Sequence, residues 1–293
     1  APVSGDPTRE ALSWHAYCWW APNLTPSLSP LCALYHRHLF ATHAFNMRVM
    51  GSAAIMSEYG SLGNRSVDLR ELRRVGWLAD VFLFSRVYWQ YKNYHDLTSS
   101  GGYGSEDDDE VGGGFSLYPR GELQRNKLAA IATPYAQAVA GAPRLMRYHE
   151  WARVFVLEYV AGGQASDEGR TTEVNLNVPM HYPDGYRVFA SVEGAAASAA
   201  EELPLLGERD SSSRLRLRHA AAVAGSRILI CVVPCAPLRP RSDSSRLREW
   251  LARFGAEADC EADEADAARM RPWHPCLWRS EHPTWFALLC GSV

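Results

Sequence analysis

The sequence predicts an α/β first half and an antiparallel β second half, on the basis of three observations. Short apolar runs alternate with segments of helical periodicity over the first 142 residues. From residue 143 onward, short β-rich runs follow one another, and Tyr182-Pro183-Asp184-Gly185 is a turn signal between two of them. The total length of 293 residues suits one large domain or two ordinary ones. Three consecutive strand–helix units are typical of a segment of a (β/α)8 barrel, and the β-rich part is typical of a small sandwich.

The individual elements follow from local pattern. In the first half we predict strands at 13–19, 53–57 and 81–89, and helices at 32–49, 67–79 and 122–139. Leu34, Phe40 and Phe45 are the expected buried face of the first helix, and Leu69, Leu72 and Val75 that of the second. In the second half the expected strands are 153–160, 171–178, 186–192, 214–221 and 228–233. These assignments divide the chain into a partial barrel at 1–142, a sandwich at 143–237 and an irregular tail at 238–293 with no assigned fold.

Composition excludes several classes of function. The chain has 30 Lys and Arg against 33 Asp and Glu, so no basic surface predicts a nucleic-acid partner. No apolar run of about 18 residues predicts a transmembrane helix. Seven Cys without a Cys-x-x-Cys motif support neither a zinc site nor a thioredoxin-type site, and we predict no metal and no cofactor. Glycosylation sequons at Asn23 and Asn64 favour a secreted or lysosome-like location.

Four residues at predicted strand ends are candidates for chemistry. Glu58 follows the second strand, at the end where barrel enzymes carry their catalytic groups. His15 and Tyr17 are two apart on the first strand and therefore point to the same face. Trp89 ends the third strand and could form the floor of a sugar site. Each has a structural alternative: a helix cap or ion pair for Glu58, satisfied hydrogen bonds for His15 and Tyr17, and core packing for Trp89.

Together, these residues resemble the endoglycoceramidase-like branch of glycoside hydrolase family 5. The match is carried by ordered strings: Trp14-His15-Ala16-Tyr17-Cys18, Ser57-Glu58-Tyr59-Gly60, Tyr88-Trp89-Gln90-Tyr91-Lys92 with Asp96-Leu97-Thr98, and Tyr135-Ala136-Gln137-Ala138-Val139-Ala140-Gly141. They resemble the sixth, seventh and eighth barrel strands and the end of the last barrel helix. Thr172-Glu173-Val174-Asn175-Leu176 and His181-Tyr182-Pro183-Asp184-Gly185 resemble the branch's C-terminal β-sandwich.

The resemblance implies hydrolysis, with retention, of the bond between a glycan or glucose and ceramide. Glu58 would be the nucleophile, Tyr17 would hydrogen-bond it, and His15 would support the same site. Trp89 would lie under the first sugar, and Gln90 and Lys92 match the substrate-binding string without an assigned individual role. The implied partner is a glycolipid or other β-glucoside, reached through peripheral contact with a membrane surface, and the loop at 94–119 is a candidate wall for its lipid.

The sequence also departs from the family. Retaining hydrolysis needs a second carboxyl about 5–5.5 Å from the first, and in this family that acid/base glutamate follows an Asn. No Asn-Glu string is present, so we expect this chain to be a fragment without the acid/base half and inactive by itself. Two alternatives stay open: a family 5 hydrolase of another β-glucoside, such as a sterol glucoside, and a non-catalytic protein that binds glycan or lipid. Cys18 and Cys32 bracket a Pro-rich loop, and a disulfide between them is an expectation for a secreted protein.

Overall fold

The structure is a computed structural model that describes residues 10–18, 24–91, 115–150, 152–166, 168–193, 208–210 and 213–235, together with Asp6. These residues form two compact units that divide between Thr133 and Pro134. The predicted irregular tail at 238–293 and the acidic loop before Phe115 lie outside the described residues.

The first unit repeats a strand–helix pattern around a parallel sheet. Its elements are β1 (Ala11–Ala16), α1 (Ser29–Met50), β2 (Ala53–Gly60), α2 (Ser66–Phe82), β3 (Ser85–Trp89) and α3 (Arg125–Ile131), with a 3-10 turn at Pro119–Gly121. The sheet order is β1-β2-β3, and both pairings are parallel. A helix follows each of the first two strands before the next parallel strand begins, as the crossover of a parallel pair requires. The predicted α/β architecture of this half is therefore confirmed, and it suits a barrel segment.

The buried face of α1 differs from the prediction. Phe40 is fully buried, whereas Leu34 and Phe45 are 67% and 62% exposed. Beyond Ser29 at its start, the buried side chains of α1 are four residues apart: Cys32, His36, Phe40 and Ala44. Leu34 and Phe45 lie on the opposite side of the helix from this stripe, because successive residues are rotated by about 100°. On α2 the prediction is confirmed, since Leu69, Leu72 and Val75 are all buried.

Two sets of buried polar contacts join the elements of the first unit. His36 Nδ1 of α1 lies 2.8 Å from Glu71 Oε1 of α2, and Arg74 also contacts the Glu71 carboxylate. Arg86 of β3 lies 2.6 Å from Asp80 of α2. Burial raises the pKa of Asp80 to about 6, against the opposing effect of the Arg86 guanidinium. These contacts join α1 to α2 and α2 to β3 through buried polar side chains.

The second unit is built from antiparallel strands. They are β4 (Tyr135–Ala138), β5 (Gly141–His149), β6 (Val154–Ala161), β7 (Thr171–Asn175), β8 (Tyr186–Glu193), β9 (Glu208–Asp210), β10 (Arg214–Arg218) and β11 (Arg227–Pro234), with a short helix α4 (Val178–His181). One sheet has the order β4-β7-β10-β9 and the other β5-β6-β11-β8. Buried side chains from both sheets form one cluster that includes Leu157, Val174, Leu217 and Ile230.

The helix predicted at 122–139 is wrong in its second half. Helix α3 ends at Ile131, and residues 135–138 form β4, which pairs with β7. Pro134 has no backbone N–H and disfavours the helical conformation at the residue before it, so the helix stops there despite the Ala-rich sequence that follows. The string 135–141, which resembles the end of a barrel helix, therefore belongs to the β-rich unit.

Within the described part of the chain, no helix is long and apolar enough to cross a membrane.

Candidate active site at the carboxyl ends of the parallel strands

The alternation of side chains on β1 places His15 and Tyr17 on one face. Trp14, Ala16 and Cys18 are buried in the core of the first unit, and Trp14 packs against Phe40 of α1 with ring centroids 4.8 Å apart. The odd-numbered residues therefore point away from the helices. The side chain of His15 is 53% exposed, so it is accessible to solvent on this face of the sheet.

A bulge in β2 brings Glu58 to the same face. Trp14 pairs with Met56, but the next residue, His15, pairs with Glu58, so β2 has one more residue than β1 at this level. The register between β2 and β3 shifts in the same place, between Met56 and Tyr59. In a regular strand Met56 and Glu58 would point the same way, and Met56 is fully buried on the helix side. The additional residue turns Glu58 to the opposite face, as bulges beside active sites commonly do.

Glu58 is held by both predicted partners through one oxygen. Tyr17 Oη donates a hydrogen bond to Glu58 Oε2 at 2.7 Å, and His15 Nδ1 lies 3.3 Å from the same atom. The Glu58 side chain is 37% exposed. Because both contacts involve Oε2, Oε1 is the oxygen that the arrangement leaves for a reaction with a bound molecule.

The electrostatics of Tyr17 keep it a donor. Burial raises the pKa of Tyr17 well above its ordinary value, and the hydrogen bond and negative charge of Glu58 raise it further. The phenol therefore stays protonated across the physiological range and donates to the carboxylate continuously. A charge-assisted hydrogen bond of this kind orients the acceptor as well as stabilising its ionised form.

Trp89 lies next to this cluster. Its ring meets the edge of Tyr17 with centroids 6.4 Å apart and planes at 89°, and its peptide bond to Gln90 is cis. Gly60 at the end of β2 pairs with Trp89 and has a φ of +132°. A Cβ at residue 60 would collide with the Trp89 carbonyl oxygen, so the Gly of the Glu-Tyr-Gly string permits the close approach of these two strand ends.

The segment 115–117 packs against the end of β3 and supports Trp89. Tyr88 Oη donates to the Phe115 carbonyl at 2.7 Å, and the Leu117 N–H donates to the Gln90 carbonyl at 3.1 Å. The Phe115 and Trp89 rings are 6.2 Å apart. Gln90, which the resemblance assigned to substrate binding, is only 8% exposed. Lys92 and the loop proposed as a lipid wall up to residue 114 lie outside the described residues.

Cys18 and Cys32 form a disulfide in the structure, with Cα atoms 5.6 Å apart. The bond ties the residue after Tyr17 to the first turns of α1, so it anchors the end of β1 that carries His15 and Tyr17. Both cysteines are buried.

Three residues at or beside the candidate site were not identified from the sequence. Ser57 and Ser13 share a hydrogen bond of 2.7 Å between their hydroxyl oxygens beside the bulge, and the fully buried Lys127 donates to the Ser116 carbonyl at 3.3 Å. The spacing of Ser13, His15 and Tyr17 is a signal that could have included Ser13 in the site. In the described residues, no three His, Cys, Asp or Glu side chains are grouped as a metal site would require.

Comparison with known proteins found one family match, in the β-rich unit, and several solved structures of similar fold. Residues 134–230 match the glycoside hydrolase family 5 C-terminal domain. No curated protein matches the sequence. Endo-glycoceramidase II from Rhodococcus sp. in a cellobiose-like imidazole complex has a similar fold, with a TM-score of 0.51 and 19% identity over 76% of this chain and 43% of that chain. At this identity the likeness concerns the fold.

Two further solved structures are similar at a lower level. Endo-glycoceramidase II from Rhodococcus sp. in a ganglioside GM3 complex has a TM-score of 0.49 at 18% identity, over 76% of this chain and 42% of that one. Sterylglucosidase 1 from Cryptococcus neoformans has a TM-score of 0.48 at 15% identity, over 68% of this chain and 31% of that one. The chain thus spans less than half the length of each of these proteins. The match of residues 134–230 to the C-terminal domain and the similar fold confirm the predicted resemblance to the endoglycoceramidase-like glycoside hydrolases of family 5.

Proposed function

We propose that Glu58 is the nucleophile of a retaining glycoside hydrolase, and that β1, β2 and β3 correspond to the sixth, seventh and eighth strands of its barrel. The observation that carries the proposal is the carboxylate of Glu58 at the carboxyl end of a parallel strand, bound through Oε2 by Tyr17 and His15. A retaining site needs such a carboxylate, ionised and aimed, because it must attack the anomeric carbon.

The chemistry assigns one role to each oxygen of Glu58. Oε1 attacks the anomeric carbon, the bond to the leaving oxygen breaks, and a second carboxyl protonates that oxygen. The second carboxylate then takes a proton from water, which attacks the anomeric carbon and cleaves the glycosyl ester, so that the carboxylate of Glu58 is restored and the hydrolysed sugar leaves. Tyr17 keeps its hydrogen bond to Oε2 through both steps and so holds the attacking oxygen in place. The second carboxyl is not assigned among the residues of this sequence.

A glycolipid is the substrate class that we favour, with glucose or a glycan joined to ceramide. Support comes from the similar fold of an endo-glycoceramidase and from Trp89, whose ring adjoins Tyr17 and offers a stacking surface for a sugar. Glucosylceramide, a sterol glucoside and a soluble aryl β-glucoside, assayed side by side, distinguish the lipid specificities. Cleavage of the soluble glucoside alone would contradict the assignment to lipids.

The nucleophile itself can be tested without the second carboxyl. A dinitrophenyl 2-deoxy-2-fluoro-β-glucoside has a leaving group that departs without a proton and forms a long-lived glycosyl ester with a nucleophilic carboxylate. The experiment uses the protein made from the complete reading frame that contains these 293 residues. Peptide mass spectrometry is expected to find the label on Glu58, and Glu58→Gln is expected to abolish it.

A matched control is available in Glu122, which is exposed and lies outside the site. Glu122→Gln should label as the wild type does. Label on another carboxylate would overturn the role of Glu58. Tight binding of glycan or glycolipid, with no label and no turnover, would instead establish a non-catalytic binding protein.

A further inference from the structure

We propose that Ser57 is a positioning residue: its hydroxyl, together with that of Ser13, holds the bulge of β2 in the form that turns Glu58 toward Tyr17 and His15. This inference rests on the proposed function of Glu58 and adds a residue to which the family match and the similar structures assign no role.

The register shows that the bulge decides where Glu58 points. Ser57 is the additional residue of β2 between the pairs Trp14–Met56 and His15–Glu58. Ser57 contacts Ser13, and Glu58 contacts His15 and Tyr17. Two consecutive residues of β2 thus face the same side of β1, which a regular pleat does not allow. If the additional residue were absorbed into a regular strand, Glu58 would turn toward the helices.

Hydrogen bonds lock Ser57 in the bulged conformation. Its hydroxyl donates to the Trp14 carbonyl at 3.3 Å, directly before the register shift. A hydroxyl has one proton and two acceptor lone pairs, so the 2.7 Å contact with Ser13 is made with Ser13 as the donor. The chain Ser13–Ser57–Trp14 therefore ties the bulge to β1 at one end, while Tyr17 binds Glu58 at the other. A bulge interrupts the backbone ladder, and side-chain donors at that point replace some of the lost restraint.

The NMR signal of Tyr17 distinguishes a positioning role of Ser57 from a merely structural one, because loss of stability alone would not change that signal in the folded protein. The hydrogen bond and charge of Glu58 raise the pKa of Tyr17 beyond the effect of burial. With 13C-labelled tyrosine, the Cζ resonance of Tyr17, assigned with Tyr17→Phe, reports the hydrogen bond at neutral pH and the onset of ionisation in alkali. Glu58→Gln defines the signal expected when the carboxylate no longer acts on the phenol.

Ser57→Ala is expected to move the Tyr17 resonance in the same direction as Glu58→Gln does. It should also lower the pH at which Tyr17 begins to ionise. Ser13→Ala, which approaches the contact from the other strand, should act in the same direction. Ser57→Thr keeps the hydroxyl and suits a strand, so it should restore the wild-type signal. Ser85→Ala, at an exposed serine that begins β3, is the matched control and should change nothing.

Kinetics of the protein from the complete reading frame give the second measurement. Because misplacement of a reacting group by about 1 Å can cost about 100-fold, Ser57→Ala should lower kcat between about 10- and 100-fold, with KM close to that of the wild type. Ser57→Thr should recover most of the loss. A wild-type Tyr17 resonance in Ser57→Ala, whether or not its melting temperature falls, would overturn the proposal. If Glu58→Gln leaves turnover intact, the proposed function fails, and the Tyr17 signal still decides whether Ser57 positions the carboxylate.

Discussion

The buried lysine beneath the site should make the stability of the first unit depend on pH. Lys127 of α3 is fully buried and donates to the Ser116 carbonyl, within the segment that supports Trp89. Burial lowers its pKa from the ordinary 10.5 to about 7, against the opposing effect of Asp68. Between these two values the unfolded chain binds more protons than the folded one, so the free energy of unfolding rises with pH in that window. Below that pH window Lys127 is protonated in both states, so the free energy of unfolding is reduced by the full cost of burying the ammonium group.

The magnitude follows from the two pKa values. The difference of 10.5 − 7, at about 1.4 kcal/mol per pKa unit, corresponds to about 5 kcal/mol in total and to a slope of at most about 1.4 kcal/mol per pH unit. Lys127→Met removes this dependence. It also removes the hydrogen bond to Ser116, a constant cost of about 1 kcal/mol, and Lys127→Gln separates the two because the amide can still donate.

Urea unfolding of wild type and both variants, followed by tryptophan fluorescence between pH 6 and 10, measures the effect. The wild type is expected to gain stability relative to Lys127→Met by about 4 kcal/mol over the upper three pH units. Asp80 has a raised pKa of about 6, so its contribution to the free energy of unfolding falls as pH rises from its ordinary pKa of 3.8 toward that value. Wild type and Lys127→Met both contain Asp80, so this contribution cancels in the difference between them. A difference that stays constant within about 0.5 kcal/mol would refute the reasoning.

Two further predictions concern the strand ends that carry the site. Gly60→Ala should abolish labelling of Glu58 and alter the near-UV circular dichroism of Trp89, because the new Cβ collides with the Trp89 carbonyl. Gly121 is the control, since it also has a positive φ but has open space around it. Gly121→Ala should lower the free energy of unfolding by only about 1 kcal/mol and leave labelling intact. Cys32→Ala should lower the free energy of unfolding by about 3 kcal/mol, since the disulfide with Cys18 closes a loop of about 15 residues. A reductant should then lower the melting temperature of the wild type but not of this variant, and equal lowering in both would contradict the assignment.

Local pattern was enough for the order of elements as far as β3 and for part of the site. Apolar periodicity gave the alternation of strands and helices in the first half, and the spacing of two residues between His15 and Tyr17 gave their common face. The buried stripe of α1 could not be read in the same way, because its sequence is apolar on more than one side. Only the neighbouring α2 and sheet decide that Phe40 is buried and Leu34 is not.

The string 135–141 shows the limit of local propensity. Ala136, Ala138 and Ala140 favour a helix in isolation, yet 135–138 pair with β7 as a strand. The backbone hydrogen bonds of that pairing, and the burial of Val174 opposite Ala136, outweigh a propensity difference of a few tenths of a kcal/mol per residue.

The sequence by itself determined which residues reach the carboxyl ends of the strands: His15, Tyr17, Glu58 and Trp89 all stand where a short apolar run ends. The family resemblance implied that Tyr17 bonds Glu58, but only the tertiary structure explains how Glu58 comes to face it. The bulge at Ser57 is a property of the pairing with β1 and β3 and not of β2 by itself. A side chain's face on a strand follows from a count of residues, but that count changes wherever a neighbouring strand imposes a different register. For that reason the sequence could indicate which strand ends carry Tyr17 and Glu58, but only the fold shows that the Glu58 side chain points toward Tyr17.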